Sequence, residues 1–283
     1  MSRELTACQL IERSINKKFR KELWSPFVAA VKRYELIQPG DKIAVCISGG
    51  KDSMLLAKLM QELNRHTFIP FEQEFIVMDP GYSPINRARI EENARLMEIP
   101  IRIFESDIFD VTSGMSSNPC YMCARMRRGF LYDRAQELGC NKIALGHHFN
   151  DVIETTVMGM FYGAQLQGMM PKLLSKNFPG MELIRPLYCI HEDDILSWCR
   201  YNELTFINCA CRLTERAAQD AHVSKRQEVK ELLRSLRQHN PDVEKSVFNS
   251  IHAVSLDTMP GCKWRGQEHT FLEWYDEAGE AEE

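Results

Sequence analysis

The chain has 283 residues, 44% hydrophobic and 26% charged, with a net charge of −4 and ten cysteines. That length suits one large domain or about two smaller ones with ample core, and no apolar run approaches the roughly 20 residues that span a bilayer. The mild negative charge does not mark a nucleic-acid binder. Glu4 and Glu12 lie where a signal peptide would be apolar, so the cytoplasm is the expected compartment and the cysteines read as thiols and metal ligands, not disulfides.

Residues 7 to about 35 read as helix, with Leu10, Ile11, Ile15, Phe19, Leu23, Phe27 and Val31 at steps of one to four. Pro39-Gly40 ends this lead-in. Ile43 to Ile47 is a β-forming run long enough for a buried strand. Ser48-Gly49-Gly50 breaks it, and Asp52-Ser53 opens a helical pattern through Met54, Leu55, Leu56, Lys58, Leu59 and Leu63. A strand, a glycine turn and a helix start together make an anion site. Glycine lets the backbone approach a ligand, and the first N–H groups of a helix have no internal partners. Lys51 adds a positive charge, Ser48 and Ser53 add hydroxyls, and Asp52 is suited to a magnesium ion. Ser48, Gly49, Gly50, Lys51, Asp52 and Ser53 therefore read as a nucleotide-phosphate site, against the plainer alternative of a capped glycine turn.

Further strands are expected at 74–78, 99–104 and 142–145, with helices at 84–97 behind Ser83, 121–138 and from Asp151 to Phe161. Strands alternating with helices of this length imply parallel pairing, so an α/β fold with a doubly wound parallel sheet. Ligands in such sheets sit at the carboxyl ends of strands, where both Ser48–Ser53 and Gly146–Asp151 fall. From 163 to 180, three glycines and two prolines read as a long loop containing Lys172. Helices follow at 190–201, 217–238 and 242–254. The expected organisation is a helical extension over 1–38, a nucleotide-binding domain over 39–210 and a helical region over 211–256. An acidic tail over 257–283 reads as loosely docked or disordered.

Gly146-His147-His148 follows a strand, and Asp151 and Glu154 lie three residues apart on one face of the next helix. That set could bind nucleotide and metal opposite the first loop; capping by Asp151 and packed histidines is the structural alternative. Cys120 and Cys123 have ligand spacing but supply only two ligands. Cys8, Cys46, Cys140, Cys189 and Cys199 lie in apolar patterns and read as core residues. Basic residues gather in the lead-in, at Arg125, Arg127 and Arg128 beside the cysteine pair, and late at Lys225, Arg226, Lys230, Arg234 and Arg237. Whether these groups flank one site is not legible from sequence.

The hexapeptide Ser48–Ser53 resembles the PP-loop of the ATP pyrophosphatases, which cleave ATP between its α- and β-phosphates. Within that superfamily the chain resembles the tRNA 2-thiocytidine synthetases, the TtcA proteins. The resemblance extends to Tyr34–Asp41, to Pro119-Cys120-Tyr121-Met122-Cys123-Ala124-Arg125-Met126-Arg127-Arg128-Gly129, to Leu145–Thr155 and to Arg185-Pro186-Leu187. It covers residues 10 to 255. It implies an ATP-dependent tRNA sulfurtransferase that thiolates C2 of a cytidine through an adenylated intermediate, releasing AMP and pyrophosphate. It implies ATP contacts at Gly146 and His147 beside the loop, magnesium on Asp52 and Asp151, and catalytic roles for Lys51, Asp52, Asp151 and Cys211. It also implies a 4Fe–4S cluster on Cys120, Cys123 and a late cysteine, with one iron open to sulfide. Cys211 is assigned as that third ligand and Cys209 is the alternative, because one residue separates them here where the family usually has two. Asn150 is a second departure, since the family commonly has an aspartate there. Arg125, Arg127 and Arg128 are the expected tRNA contacts, and Arg185 could orient substrate. The expected partners are tRNA, a sulfur donor such as a cysteine desulfurase, and a second copy in a homodimer. Two rivals stay open: a pyrophosphatase or sulfurtransferase acting on another nucleobase or a small molecule, and a non-catalytic metal-bearing protein that binds tRNA or senses redox state.

Overall fold

The computed structural model describes residues 4–67, 69–113, 119–207 and 225–275. The chain begins with α1 (Ala7–Arg13), two π-helical stretches at Ser14–Lys18 and Arg20–Trp24, and α2 (Ser25–Arg33). Its buried residues Ile11, Ile15, Phe19, Leu23, Phe27 and Val31 repeat every four positions. An α-helix turns every 3.6 residues, so a strict four-residue repeat would drift off one face. The wider π turns absorb that drift and keep all six side chains on the core. The buried Ser14 hydroxyl then accepts from Trp198 Nε1 and Asn202 Nδ2, each at 3.1 Å, tying the lead-in to a distant helix.

The sheet is built from β1 (Lys42–Ile47), β2 (Glu72–Asp79), β3 (Ile101–Glu105), β4 (Lys142–Ala144), β5 (Lys172–Leu174) and β6 (Glu182–Ile184). Its order is β3-β2-β1-β4-β6-β5, parallel except for β5, which runs antiparallel to β6. The helices are α3 (Lys51–His66), α4 (Pro84–Leu96, capped by Ser83), α5 (Ile108–Ser113), α6 (Pro119–Glu137), α7 (Phe149–Gly163), α8 (Glu192–Tyr201), α9 (Lys225–His239) and α10 (Val243–Ser250). β1 shows why both faces are covered: Ile43, Val45 and Ile47 enter the large core under the lead-in, α3 and α4, whereas Ala44 and Cys46 enter a smaller one under α6. A third cluster joins Val152, Ile153 and Val157 of α7 to Val229 and Leu233 of α9 and Phe248 of α10. No described helix is long and apolar enough to cross a membrane.

Two expectations need correction. The loop over 163–180 contains β5, a three-residue edge strand too short to show a period. The tail, read as loosely docked or disordered from 257, is not wholly disordered: β7 (Gly261–Trp264) and β8 (Gln267–Thr270) form an antiparallel hairpin around the Arg265-Gly266 turn. Within 163–180 the Lys172 ammonium donates to the Glu35 carbonyl at 3.1 Å. The helix expected from 217 is seen from Lys225, its first part lying outside the described residues.

Candidate active site

The strand order reverses between β1 and β4, which are paired through Val45 and Ala144, so the chain leaves the two adjacent strand ends toward opposite sides. That opening is where doubly wound sheets bind ligands. Ser48–Gly50 follows β1 and Leu145–His148 follows β4, which is why two motifs about 100 residues apart share one cleft. Gly49 sits at φ +82°, and a Cβ on it would come within 2.5 Å of Ile90 and 2.8 Å of Ile207. Gly146 is packed so closely on the start of α3 that a Cβ would lie 3.1 Å from the Ser53 nitrogen. Ser53 staples the turn: its Oγ accepts from the Ser48 N–H at 3.1 Å and donates to the Gly50 carbonyl at 2.9 Å.

Lys51 is half-buried between two carboxylates, Asp52 Oδ2 at 3.1 Å and Glu192 Oε1 at 3.2 Å. Burial would favour the neutral amine, but those two carboxylates outweigh it and hold the ammonium charged above its ordinary range. Across the cleft His148 caps α7, and the Asp151 carboxylate closes the capping box by accepting the His148 N–H at 2.9 Å. His148 Nε2 stands 3.8 Å from Asp52 Oδ1 and 3.6 Å from Asp151 Oδ2, so the two aspartates expected to bind magnesium flank one imidazole. His147 is held neutral, its pKa well below the usual imidazole value because burial and then the Arg185 charge disfavour the cation. His147 Nδ1 and Asp52 Oδ1 are buried and have no hydrogen-bond partner among the described residues. Both residues line the cleft, which measures about 400 Å³.

Its rim is cationic. Arg127 and Arg128 of α6 line the same cleft as Ser48 and His147, and so does Arg226 of α9. Arg127 lies beside the Tyr82 hydroxyl, which donates to the Ser48 carbonyl at 3.3 Å, and the Cys123 thiol bears on the same phenol. The cysteine helix is thereby set against the glycine turn. Arg185 is buried, donates to the Met170 carbonyl, and has its pKa drawn down to about 10 by burial and by Arg128. Arg226 reaches Glu154 at 3.3 Å and Asp151 at 3.6 Å.

Ser48–Ser53, Gly146, His147, Asp151, Arg127 and Arg128 are thus brought together. Arg125 is exposed on the same helix and does not line the cleft. Cys123 is buried on α6, and Cys120 precedes it by three residues on that helix. Cys209 and Cys211 lie outside the described residues. Cys8, Cys46, Cys140 and Cys199 are buried, as their apolar settings suggested, whereas Cys189 is only partly buried. Asn150 accepts the Glu192 N–H at 2.9 Å through its side-chain oxygen, a role that an aspartate would also fill. Glu192 and Tyr82 were missed; neither belongs to a local pattern. Arg226 and Lys230 were visible only as members of a late basic group.

The PP-loop domain family matches residues 14–217. The tRNA-cytidine(32) 2-sulfurtransferase of Citrifermentans bemidjiense is 35% identical over 229 residues, covering 80% of this chain and 87% of that one. The protein of the same name from Geotalea uraniireducens is 36% identical over 229 residues, covering 80% and 88%. Among solved structures, the U34-tRNA thiolase NcsA from Methanococcus maripaludis with its 4Fe–4S cluster matches with a TM-score of 0.65 at 22% identity, covering 85% of this chain and 80% of that chain. At that identity the likeness is one of fold.

Proposed function

The chain belongs to the PP-loop tRNA-cytidine 2-sulfurtransferases, and from that premise we propose that it thiolates C2 of a tRNA cytidine at the expense of ATP. The observation that carries this reading is the single cleft shared by Ser48, Asp52, Gly146, His147 and Asp151 and rimmed by Arg127, Arg128 and Arg226. A polyanion fits that cationic rim, and the unpartnered His147 Nδ1 and Asp52 Oδ1 suit a ligand with both donors and acceptors. The cytosine O2 attacks the α-phosphorus of ATP, the bond to the bridging oxygen breaks, and pyrophosphate leaves. Lys51 and the first N–H groups of α3 stabilise the charge on the departing oxygens. A sulfur nucleophile then attacks C2 and AMP departs with the former O2.

The two aspartates and the cysteine pair support the metal groups that the resemblance implies. Asp52 and Asp151 would hold magnesium, which would neutralise phosphate charge. Cys120 and Cys123, one helical turn apart, would supply two thiolates, with Cys211 or else Cys209 as the third. A 4Fe–4S cluster on three cysteines would provide an open iron for sulfide from a donor such as a cysteine desulfurase. Arg127 and Arg128 would hold the phosphates around a base unstacked from a tRNA loop, where its ring is accessible.

The test combines anaerobically purified protein, ATP, magnesium, sulfide and tRNA. AMP, pyrophosphate and 2-thiocytidine should form together, and Lys51→Ala should lower their yield by about 100-fold or more, as expected for a group that stabilises transition-state charge. Release of ADP and phosphate overturns the reading. Thiolation of a nucleoside other than cytidine, read by mass spectrometry, moves the substrate to another base.

A further inference from the structure

One carboxylate in the cleft wall reaches Lys51 from far along the chain: Glu192 stands 141 positions away and accepts from its ammonium at 3.2 Å. We propose that Glu192 is the positioning residue of the phosphate-binding lysine, fixing its ammonium beside the glycine turn so that one N–H is left for the nucleotide. This rests on the nucleotide-binding reading of Ser48–Ser53 and deepens it.

A lysine ammonium carries three N–H donors on a flexible four-carbon stem. Asp52 and Glu192 engage two of them, at 3.1 and 3.2 Å, and set the direction of the third. Asp52 follows Lys51 in sequence and moves with it, so it cannot by itself anchor the lysine to the rest of the fold. Glu192 can, because it is held from three sides. It opens α8, where a carboxylate is favoured by the helix dipole. Its N–H donates to Asn150 Oδ1 at 2.9 Å, fixing its backbone to α7. Its second carboxylate oxygen accepts from Lys230 Nζ at 2.5 Å. Lys230 is itself placed by its helix, α9, whose Val229 and Leu233 are buried in the cluster with α7. Burial would favour the neutral acid at Glu192, but Lys230 and Lys51 outweigh it and hold the carboxyl down to about 2, so the anchor is an anion at any working pH. Asn150 fits this arrangement. Its amide oxygen takes the hydrogen bond without setting a second negative charge beside Glu192.

Lys230 and Lys51 hold the two oxygens of the one Glu192 carboxylate, so Lys230 positions the lysine through that carboxylate. That gives the proposal a signature beyond a loss of activity. ATP turnover to AMP and the Kd of a non-hydrolysable ATP analogue are measured for the full-length wild type, Glu192→Ala, Glu192→Asp, Lys230→Ala and the Glu192→Ala/Lys230→Ala double variant, each normalised to folded protein by its melting transition. Glu192→Ala should weaken the analogue about threefold to tenfold and lower kcat by more than about tenfold, since the transition state carries more phosphate charge than the ground state. Glu192→Asp should recover part of the loss. Lys230→Ala should act in the same direction but less, and the double variant should be no worse than Glu192→Ala, the non-additivity expected of groups acting through one another. A merely structural role would lower melting temperatures while leaving kcat per folded molecule unchanged, and that result overturns the proposal, as do additive losses. If the wild type binds the analogue but forms no AMP, the functional reading alone fails. The Kd series then decides for or against Glu192.

Discussion

Glu154 sits on α7 one turn beyond Asp151, is nearly inaccessible to water, and meets Arg226 at 3.3 Å. Burial lifts its carboxyl to about 7, against the pull of Arg226 and Lys230. A carboxyl raised in the folded state favours folding while it is protonated, below the pKa of the unfolded chain, and that contribution is lost as pH rises through about 7. Glu154→Gln keeps the shape and removes the titration. Relative to wild type it should be close to neutral at pH 5 and gain roughly 1–3 kcal/mol at pH 8. Urea unfolding of both proteins at the two pH values checks this; a difference that does not change with pH rules it out. The glycines act at the same scale by leaving atoms out. Gly49 combines φ +82° with side chains of Ile90 and Ile207 where a Cβ would go, and Gly146 lets β4 end against the backbone of Ser53.

At the scale of elements, α9 carries the largest share of what the local motifs do not contain. Its apolar face, through Val229 and Leu233, docks on α7, and its basic residues at four-residue spacing then land on acids: Arg226 on Asp151 and Glu154, and Lys230 on Glu192. Packing and charge placement are therefore coupled. Leu233→Ala should cost about 2–4 kcal/mol through the cavity it leaves. It should also reduce ATP turnover by more than the folded fraction falls, because Arg226 and Lys230 lose their register together. Thermal unfolding and kcat on the same preparation separate the two effects. Equal losses in both would show that α9 serves stability alone. The lead-in helix depends on a different device, π turns that bring a four-residue repeat onto one face and so bury Ile11 through Val31 together.

For the whole molecule, the mild negative net charge conceals a cleft whose arginines come from α6 and α9. Arg127→Ala combined with Arg128→Ala should weaken tRNA binding about tenfold or more at moderate salt. It should also flatten the slope of log K against log salt by about 0.7–0.9 for each phosphate contact removed. Filter binding across a salt series reads both numbers. An unchanged slope would place the tRNA contacts elsewhere.

The sequence by itself determined the elements with strong local signals. The glycine turn after β1, the Ser83 cap, the alternation of strands and helices and the pairing of two motifs with two strand ends were all legible, because each follows from backbone chemistry over a few residues. The approach of Gly146–Asp151 to Ser48–Ser53 followed from that topology. Tertiary structure alone decided the rest. The three-residue strand β5 owes its existence to pairing, not to propensity, and the β7–β8 hairpin sits in a stretch that composition marked as tail. Glu192 and Lys230 entered the site through the docking of α8 and α9, a contact between residues far apart in sequence. Likewise, a basic residue late in the chain could not be told from a solvated one until its helix was packed, because charge alone carries no information about what it will face.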